Sequence, residues 1–148
     1  MAATPWQTIG PFFHLPFGQS EDLPAAGDAV VIEGSVRDGD GQPVDAMLEV
    51  WHPDAGFRRT STGEGGGFRL VSAKPGPVNV SVFAAGLLRG LATRIYFADE
   101  SDANEADPVL ASIEDPGARA SLIAEDRDGI YRFDVKLQGP DETQFFEL

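Results

Sequence analysis

AVVIEGSVRDGDGQPV, residues 29 to 44, decides the fold class. Apolar and polar side chains alternate through Val31, Glu33 and Arg37 and then break into Asp38-Gly39-Asp40-Gly41, a strand running into a turn. Outward from it the same signal recurs. MLEVWHP (47–53), FRLVSA (68–73), VNVSVFA (78–84), ATRIYFA (92–98) and IYRFDVKLQ (130–138) read as further strands, with TQFFEL (143–148) as a short last one. GEGGG and Pro75-Gly76-Pro77 punctuate them. Short, evenly spaced strands with Gly, Pro and Asp turns predict a β-sandwich rather than alternating βα units. Helix is expected in one region only. Asp107-Pro108 and Asp115-Pro116 each put a capping carboxylate before a proline at the first helical position, which predicts two short helices.

The chain has 148 residues, the size of one domain; residues 1–28 read as an N-terminal arm and 29–148 as the sandwich. It has no cysteine, so disulfides and thiolate metal sites are excluded, which fits a reducing cytoplasm. The start of the sequence lacks a basic stretch followed by an apolar run, and no stretch approaches the roughly 18 apolar residues of a span. A soluble, cytoplasmic protein is expected. Acidic residues number 24 against 11 basic, a net charge of −13, so nucleic acid and anionic membranes are not expected as partners. An anionic ligand would need a local arginine against that field. The arm's TPWQTIGPFFH (4–14) carries Trp6, Phe12 and Phe13 with hardly a charge, and such surfaces need a cover.

Several stretches resemble sites without completing one. DGDGQPVDAMLE (38–49) spaces acids like part of a calcium loop, but Gln42 and Pro43 stand where a ligand and a turn glycine belong, so it reads as a hairpin turn. GEGGG lacks the Lys-Ser/Thr of a phosphate loop. The acidic run Asp99, Glu100, Asp102, Glu105, Asp107 reads as a solvated loop. His14 and His52, the two histidines, share no metal-ligand spacing, and no nucleophile elbow accompanies the serines.

Taken together, four blocks resemble the intradiol ring-cleaving dioxygenases. TPWQTIGPFFH is similar to the family's TPSQTxGPY opening, and VVIEGSVRDGDGQPVDAMLEVWHPDAGF to its G-x-V-x-D-x-x-G-x-P-V…LEVWQ-D-x-G block. GGGFRLVSAKPGP resembles G-x-F-x-x-x-T-x-K-P-G-P, and LATRIYFADE with ANEADPVLASI resembles a segment of the protocatechuate-cleaving branch. The order of these blocks covers nearly the whole chain. The resemblance implies a prealbumin-like β-sandwich. Catalytic members hold Fe(III) with two tyrosines and an H-x-H pair, hard oxygen and imidazole ligands suited to that ion. Here Val78, Asn79 and Ser81 stand at three of those positions, and the shortened PDAGFRRTSTGEGGG carries no tyrosine for the fourth. The pattern resembles the non-metal-binding alpha subunits of that branch, which imply a catalytic beta subunit carrying the Fe(III) and a hetero-oligomer of alpha-beta units. They also imply a reaction, the cleavage of protocatechuate by O2 to 3-carboxy-cis,cis-muconate in aromatic catabolism.

By the same resemblance Thr8, Gly10, Pro11 and Phe12 would form a wall of the substrate pocket, with no catalytic residue and no metal in this chain. An arginine that alpha subunits place after the N-x-S strand is Ala85 here, and Arg89 is the candidate substitute for contacting the substrate carboxylate. Arg94, mid-strand beside Tyr96, reads as an interface or sheet-surface residue. The alternative from a different class is a non-enzymatic, transthyretin-like binding module acting alone.

Overall fold

A computed structural model describes residues 28–147. Residues 1–27 of the expected arm, with Thr8, Gly10, Pro11, Phe12 and His14, lie outside the described residues, while Asp28, its last residue, begins the first strand. Nine strands follow in chain order: β1 (Asp28–Arg37), β2 (Ala46–His52), β3 (Gly56–Ser61), β4 (Gly67–Lys74), β5 (Val78–Ala84), β6 (Leu91–Phe97), β7 (Ile123–Arg127), β8 (Ile130–Arg132) and β9 (Val135–Lys136). They neighbour one another in the order β3-β2-β5-β6-β7-β8-β1-β4, with β9 beside β1. Strict alternation builds the core. On β5 Val78, Val80, Val82 and Ala84 point inward, and on β2 Ala46, Leu48, Val50 and His52 do the same. These meet Ile32, Val36, Phe68, Leu70 and Val135 from the β1 side in one apolar cluster, each such side chain contributing about 1.5–3 kcal/mol when fully buried.

The all-β sandwich expected from residues 29–44 is the observed architecture, and it differs in detail for physical reasons. The 38–43 turn closes with an Arg37–Pro43 bridge, but β2 then pairs with β3 and β5 instead of β1. The turn itself is of the expected hairpin type, with Val44 N–H donating to the Val36 carbonyl at 3.0 Å, and the chain then crosses to the other half of the sandwich. Asp38 caps the turn, its Oδ1 accepting from the Asp40 and Gln42 amides at 2.9 Å each. Two strands had no expectation: β3, whose inward side chains are Arg58 and Thr60, and β7, whose apolar part is Ile123-Ala124.

The single strand expected over 130–138 is two, β8 and β9, in the same parallel register on β1. Between them Asp134 accepts the Ser35 amide and hydroxyl at 2.9 Å each, replacing a backbone carbonyl in the ladder. Gly34 is required opposite this point, since a Cβ there would sit 1.6 Å from the Phe133 carbonyl oxygen. Of the expected last strand, one bridge forms, Ala92 to Phe146.

Three short helices stand where two were expected: α1 (Ser101–Ala106), α2 (Pro108–Ala111) and α3 (Pro116–Ala120). Asp107 caps α2 through the Val109 and Leu110 amides, and Asp115 caps α3 through Ala118. The unexpected α1 occupies the acidic run and has no side-chain cap. That run is therefore a helix rather than a loop, anchored at its start by the Lys74–Asp99 ion pair and by Gly76 N–H donating to Glu100 at 3.1 Å. No helix among the described residues is long and apolar enough to cross a membrane.

Candidate functional site

Alternation that sends Val78 and Val80 inward sends Asn79 and Ser81 to the opposite face. Antiparallel register then fixes their neighbours. Phe57 on β3 lies opposite Trp51 on β2, Trp51 opposite Asn79 on β5, and Asn79 opposite Arg94 on β6. A straight row of two aromatic rings, an amide and a guanidinium thus crosses four strands. The adjacent row is Arg59, Glu49, Ser81 and Ala92, with Arg59 and Glu49 ion-paired. Helices cover one end of this face. Tyr96 packs against Leu110, Ile113 and Leu122 in a second small core, with Phe146 alongside. Among the described residues nothing further covers the sheet, and Trp51 is 49% and Phe57 57% exposed. The step between the two forms a cleft of about 410 Å3 lined by Trp51, Phe57, Asn79, Ser81, Arg94 and Phe146, with Glu49 and Glu147 also on its wall.

Polar groups around the cleft are tied into the fold. The Tyr96 hydroxyl donates to Asp107 Oδ1 at 3.0 Å, the oxygen that caps α2. Burial pushes the Tyr96 phenol above its usual range, with Arg94 beside it acting in the opposite sense. Tyr131 lies elsewhere, its hydroxyl donating to Asp99 at 3.0 Å and accepting from Lys74 at 2.9 Å. Burial raises that phenol too. His52 is 1% exposed, its Nε2 2.9 Å from the Pro75 carbonyl while the Asp54 amide donates to Nδ1 at 3.1 Å. That pair of partners requires the neutral ring with its proton on Nε2.

The structure brings Asn79 and Ser81 together on the cleft wall but sends Val78 into the core, fully buried. Arg89 is exposed at the tip of the β5–β6 connection, beside the fully exposed Leu88 and near Ala85, and is not part of this cleft. Arg94 is on the sheet surface, as expected from its position, and lines the cleft. Trp51 and Phe57 had not been singled out as site residues. The alternation of MLEVWHP with Glu49 placed Trp51 on the polar face, a signal available in the sequence, whereas Phe57 depended on the unexpected β3.

Over 193 aligned residues, 98% of this chain and 97% of the relative, the sequence is 37% identical to the protocatechuate 3,4-dioxygenase alpha chain of Burkholderia cepacia. The chain belongs to the family of protocatechuate 3,4-dioxygenase alpha chains. The alpha chain of Pseudomonas putida is 38% identical over 84% of this chain and 78% of its own length. No protein-family model matches. The fold is shared with intradiol enzymes of lower identity. The dioxygenase domain of a carbohydrate-binding fusion from Streptomyces sp. SirexAA-E superposes with a TM-score of 0.58 at 22% identity, covering 92% of this chain and 98% of that one. Catechol 1,2-dioxygenase of Pseudomonas arvilla C-1 gives 0.54 at 22% identity, covering 85% and 57%.

Intradiol dioxygenases use iron, and the donors among the described residues do not fit it. Fe(III) calls for phenolate and imidazole, but the cleft offers the neutral Asn79 amide and Ser81 hydroxyl. Both tyrosines of the sequence are buried, hydrogen-bonded and biased toward the neutral phenol. His52 has both ring nitrogens engaged. Among the described residues no group of three or more His, Cys, Asp or Glu could hold a metal ion.

Proposed function

We propose that this alpha chain is the metal-free partner of an iron-bearing beta subunit, in a complex that cleaves protocatechuate between its hydroxyls. Both atoms of O2 would enter 3-carboxy-cis,cis-muconate, so no further reductant is needed. One observation carries the assignment of iron to the partner: Tyr96, Tyr131 and His52, the iron-type donors among the described residues, are all committed to structural hydrogen bonds. Ring-cleavage chemistry therefore belongs to the other chain, and the contribution of this one is shape. In this reading the arm, through Thr8, Gly10, Pro11 and Phe12, walls the substrate pocket: glycine permits close backbone approach, proline stiffens the segment and the aromatics exclude water. Arg89 reaches the substrate carboxylate from the β5–β6 tip, and the complex works in the cytoplasm. A transthyretin-like module acting alone is not favoured by the alpha-chain relatives.

The test compares the chain expressed alone with the chain co-expressed with its beta subunit. Iron analysis and O2 uptake with protocatechuate should give no iron and no turnover for the chain alone, and both for the complex. Stoichiometric iron with a tyrosinate absorption band in the isolated chain would overturn the assignment.

A further inference from the structure

β3 and β4 are the two ends of the strand order, and among the described residues no ladder joins them. The seam between them is tied at its ends. At one, Thr60 Oγ1 donates to the Arg69 carbonyl at 3.1 Å and Gly63 N–H to the Gly67 carbonyl at 2.8 Å; at the other, the His52 ring meets the Pro75 carbonyl. Continuing the antiparallel register of Gly63 and Gly67 puts Arg58 level with Ser72, between those ties. Both side chains face inward. Arg58, opposite Val50 of the core, is 9% exposed, and Ser72, opposite Val30, is 1% exposed. Among the described residues Ser72 Oγ has no hydrogen-bond partner. A buried hydroxyl without a partner is costly, and a guanidinium on an apolar wall needs acceptors for its five N–H groups. One carboxylate in the seam serves both.

We propose that residues 15–27 of this chain return along the seam as a strap, with the Asp22 carboxylate taking the Arg58 guanidinium and the Ser72 hydroxyl. Asp28 stands opposite Lys74 in the β1–β4 register, so the chain before it emerges two residues beyond Ser72, with β4 alone between it and the seam. Crossing β4 covers about 10 Å, or about three extended residues, and coming back to the level of Ser72 takes about two more. That count brings the chain near residue 22 level with Arg58 and Ser72. The residues that pass over the end of β4 are Ala25, Ala26 and Gly27, small enough for close approach and, at Gly27, free to reverse direction. Charge agrees with the path. Residues 1–27 contain two acids, Glu21 and Asp22, and no lysine or arginine, so the strap carries an anion to the buried cation and sets no cation against it. Side chains of an extended segment alternate, so with Asp22 turned inward Glu21 faces solvent. The strap fixes the point from which residues 4–14 depart, and it holds whether or not those residues wall a substrate pocket.

The sequence has no cysteine, so a disulfide placed in the seam is read without background. In the full-length chain, the double variant Asp22→Cys/Ser72→Cys should close a 22–72 bond on mild oxidation, identified by peptide mass mapping. The control Asp22→Cys/Arg127→Cys, whose second site is exposed on another strand, should close at least about tenfold more slowly. A second readout needs no crosslink. Chymotryptic cleavage after Phe17 should speed up about tenfold in Asp22→Asn and in Arg58→Met, no further when the two are combined, and stay within about twofold of wild type in Glu21→Gln. Hydrogen exchange of the β5 amides shows which variants keep the core; if Arg58→Met does not, Asp22→Asn carries the test, since it touches no core strand. The proposal is overturned if the folded Asp22→Cys/Ser72→Cys variant forms no 22–72 bond, if Asp22→Asn is cleaved like wild type, or if Glu21→Gln is cleaved as fast as Asp22→Asn. These readouts need neither iron nor a beta subunit, so none of them bears on where the iron resides.

Discussion

Replacing Lys74 with methionine tests whether the clamp between β4, β8 and the β6–α1 connection is an electrostatic device or simply packed stem. The side chain is 14% exposed, and its ammonium pairs with Asp99, donates to the Tyr131 hydroxyl at 2.9 Å and lies over the Phe97 and Tyr131 rings at 5.3 and 5.0 Å. Methionine keeps most of the stem packing and removes the charge. A hydrogen bond to a charged group contributes about 1.5–3 kcal/mol, but Asp99 is 52% exposed and regains water when the pair breaks, so its share is screened toward the lower end. Adding a modest cation–π contribution gives a loss of about 2 kcal/mol, or about 4–8 °C in Tm for a chain of this size.

The pH dependence of that loss has a definite sign. Lys74 holds Asp99 below the usual carboxylate range, so that part of the stabilisation is present above the unfolded carboxylate's range and vanishes as pH falls through the folded value. Burial pushes Lys74 down, but its bonds to Asp99 and Tyr131 push it up further, so its part is complete below the usual lysine range and is lost as pH rises through the raised value. Urea unfolding of wild type, Lys74→Met, Asp99→Asn and the double variant at neutral pH should return a coupling of about 1 kcal/mol between the two residues. A Lys74→Met variant within about 0.5 kcal/mol of wild type, or a coupling of zero, refutes the reasoning.

His52→Ala should cost about 3 kcal/mol in urea unfolding, since it opens a cavity and leaves the Pro75 carbonyl and Asp54 amide without their partner; a loss under about 1 kcal/mol would mean that water replaces the ring freely. Gly34→Ala should fail to fold or lose upwards of about 4 kcal/mol, because a Cβ 1.6 Å from the Phe133 carbonyl oxygen forces β1 and β8 apart; native-like circular dichroism and an unchanged Tm would contradict the register. In the complex, Arg89→Ala should raise KM for protocatechuate about fivefold to a hundredfold while leaving catechol, which has no carboxylate, unaffected; equal effects on both substrates would give Arg89 a structural role. Tyr96→Phe should cost about 1 kcal/mol in urea unfolding by freeing Asp107 Oδ1 of one of its donors, and no change would show that the cap alone holds α2.

Strands with an apolar inner face were legible in the sequence, because period-two alternation is how a half-buried strand is written. β5 alternates buried and part-buried residues without exception, and 78–84 was readable to the residue. β3 was not, since its inward residues are Arg58 and Thr60 and its one large apolar residue, Phe57, faces out. The α2 and α3 caps could be read because Asp-Pro is a local signal, whereas α1 begins without a side-chain cap. Two features of the cleft were hidden for a different reason. The row from Phe57 to Arg94 exists only through the pairing of β3 with β2, β2 with β5 and β5 with β6, which no local pattern specifies. The commitment of Tyr96 and Tyr131 to Asp107 and Asp99 is likewise a tertiary fact, made by partners 11 and 32 positions away in the chain.

Charge bears on what this chain can associate with. A second copy would bring −13 against −13, and at physiological ionic strength, with a screening length of about 8 Å, that repulsion acts fully only as the surfaces close. On the outer face of β3-β2-β5-β6 Arg59 offsets Glu49, and Arg94 and Glu147 line the same cleft. That face is also where Trp51 and Phe57 are exposed, residue types that concentrate binding energy in interfaces. Among the described residues Trp51 and Phe57 are the exposed aromatics, and the charge of −13 opposes a second copy more than it opposes a less acidic partner. Salt separates these cases: added salt should strengthen any homodimer by screening the repulsion, and should weaken a contact that depends on Arg94.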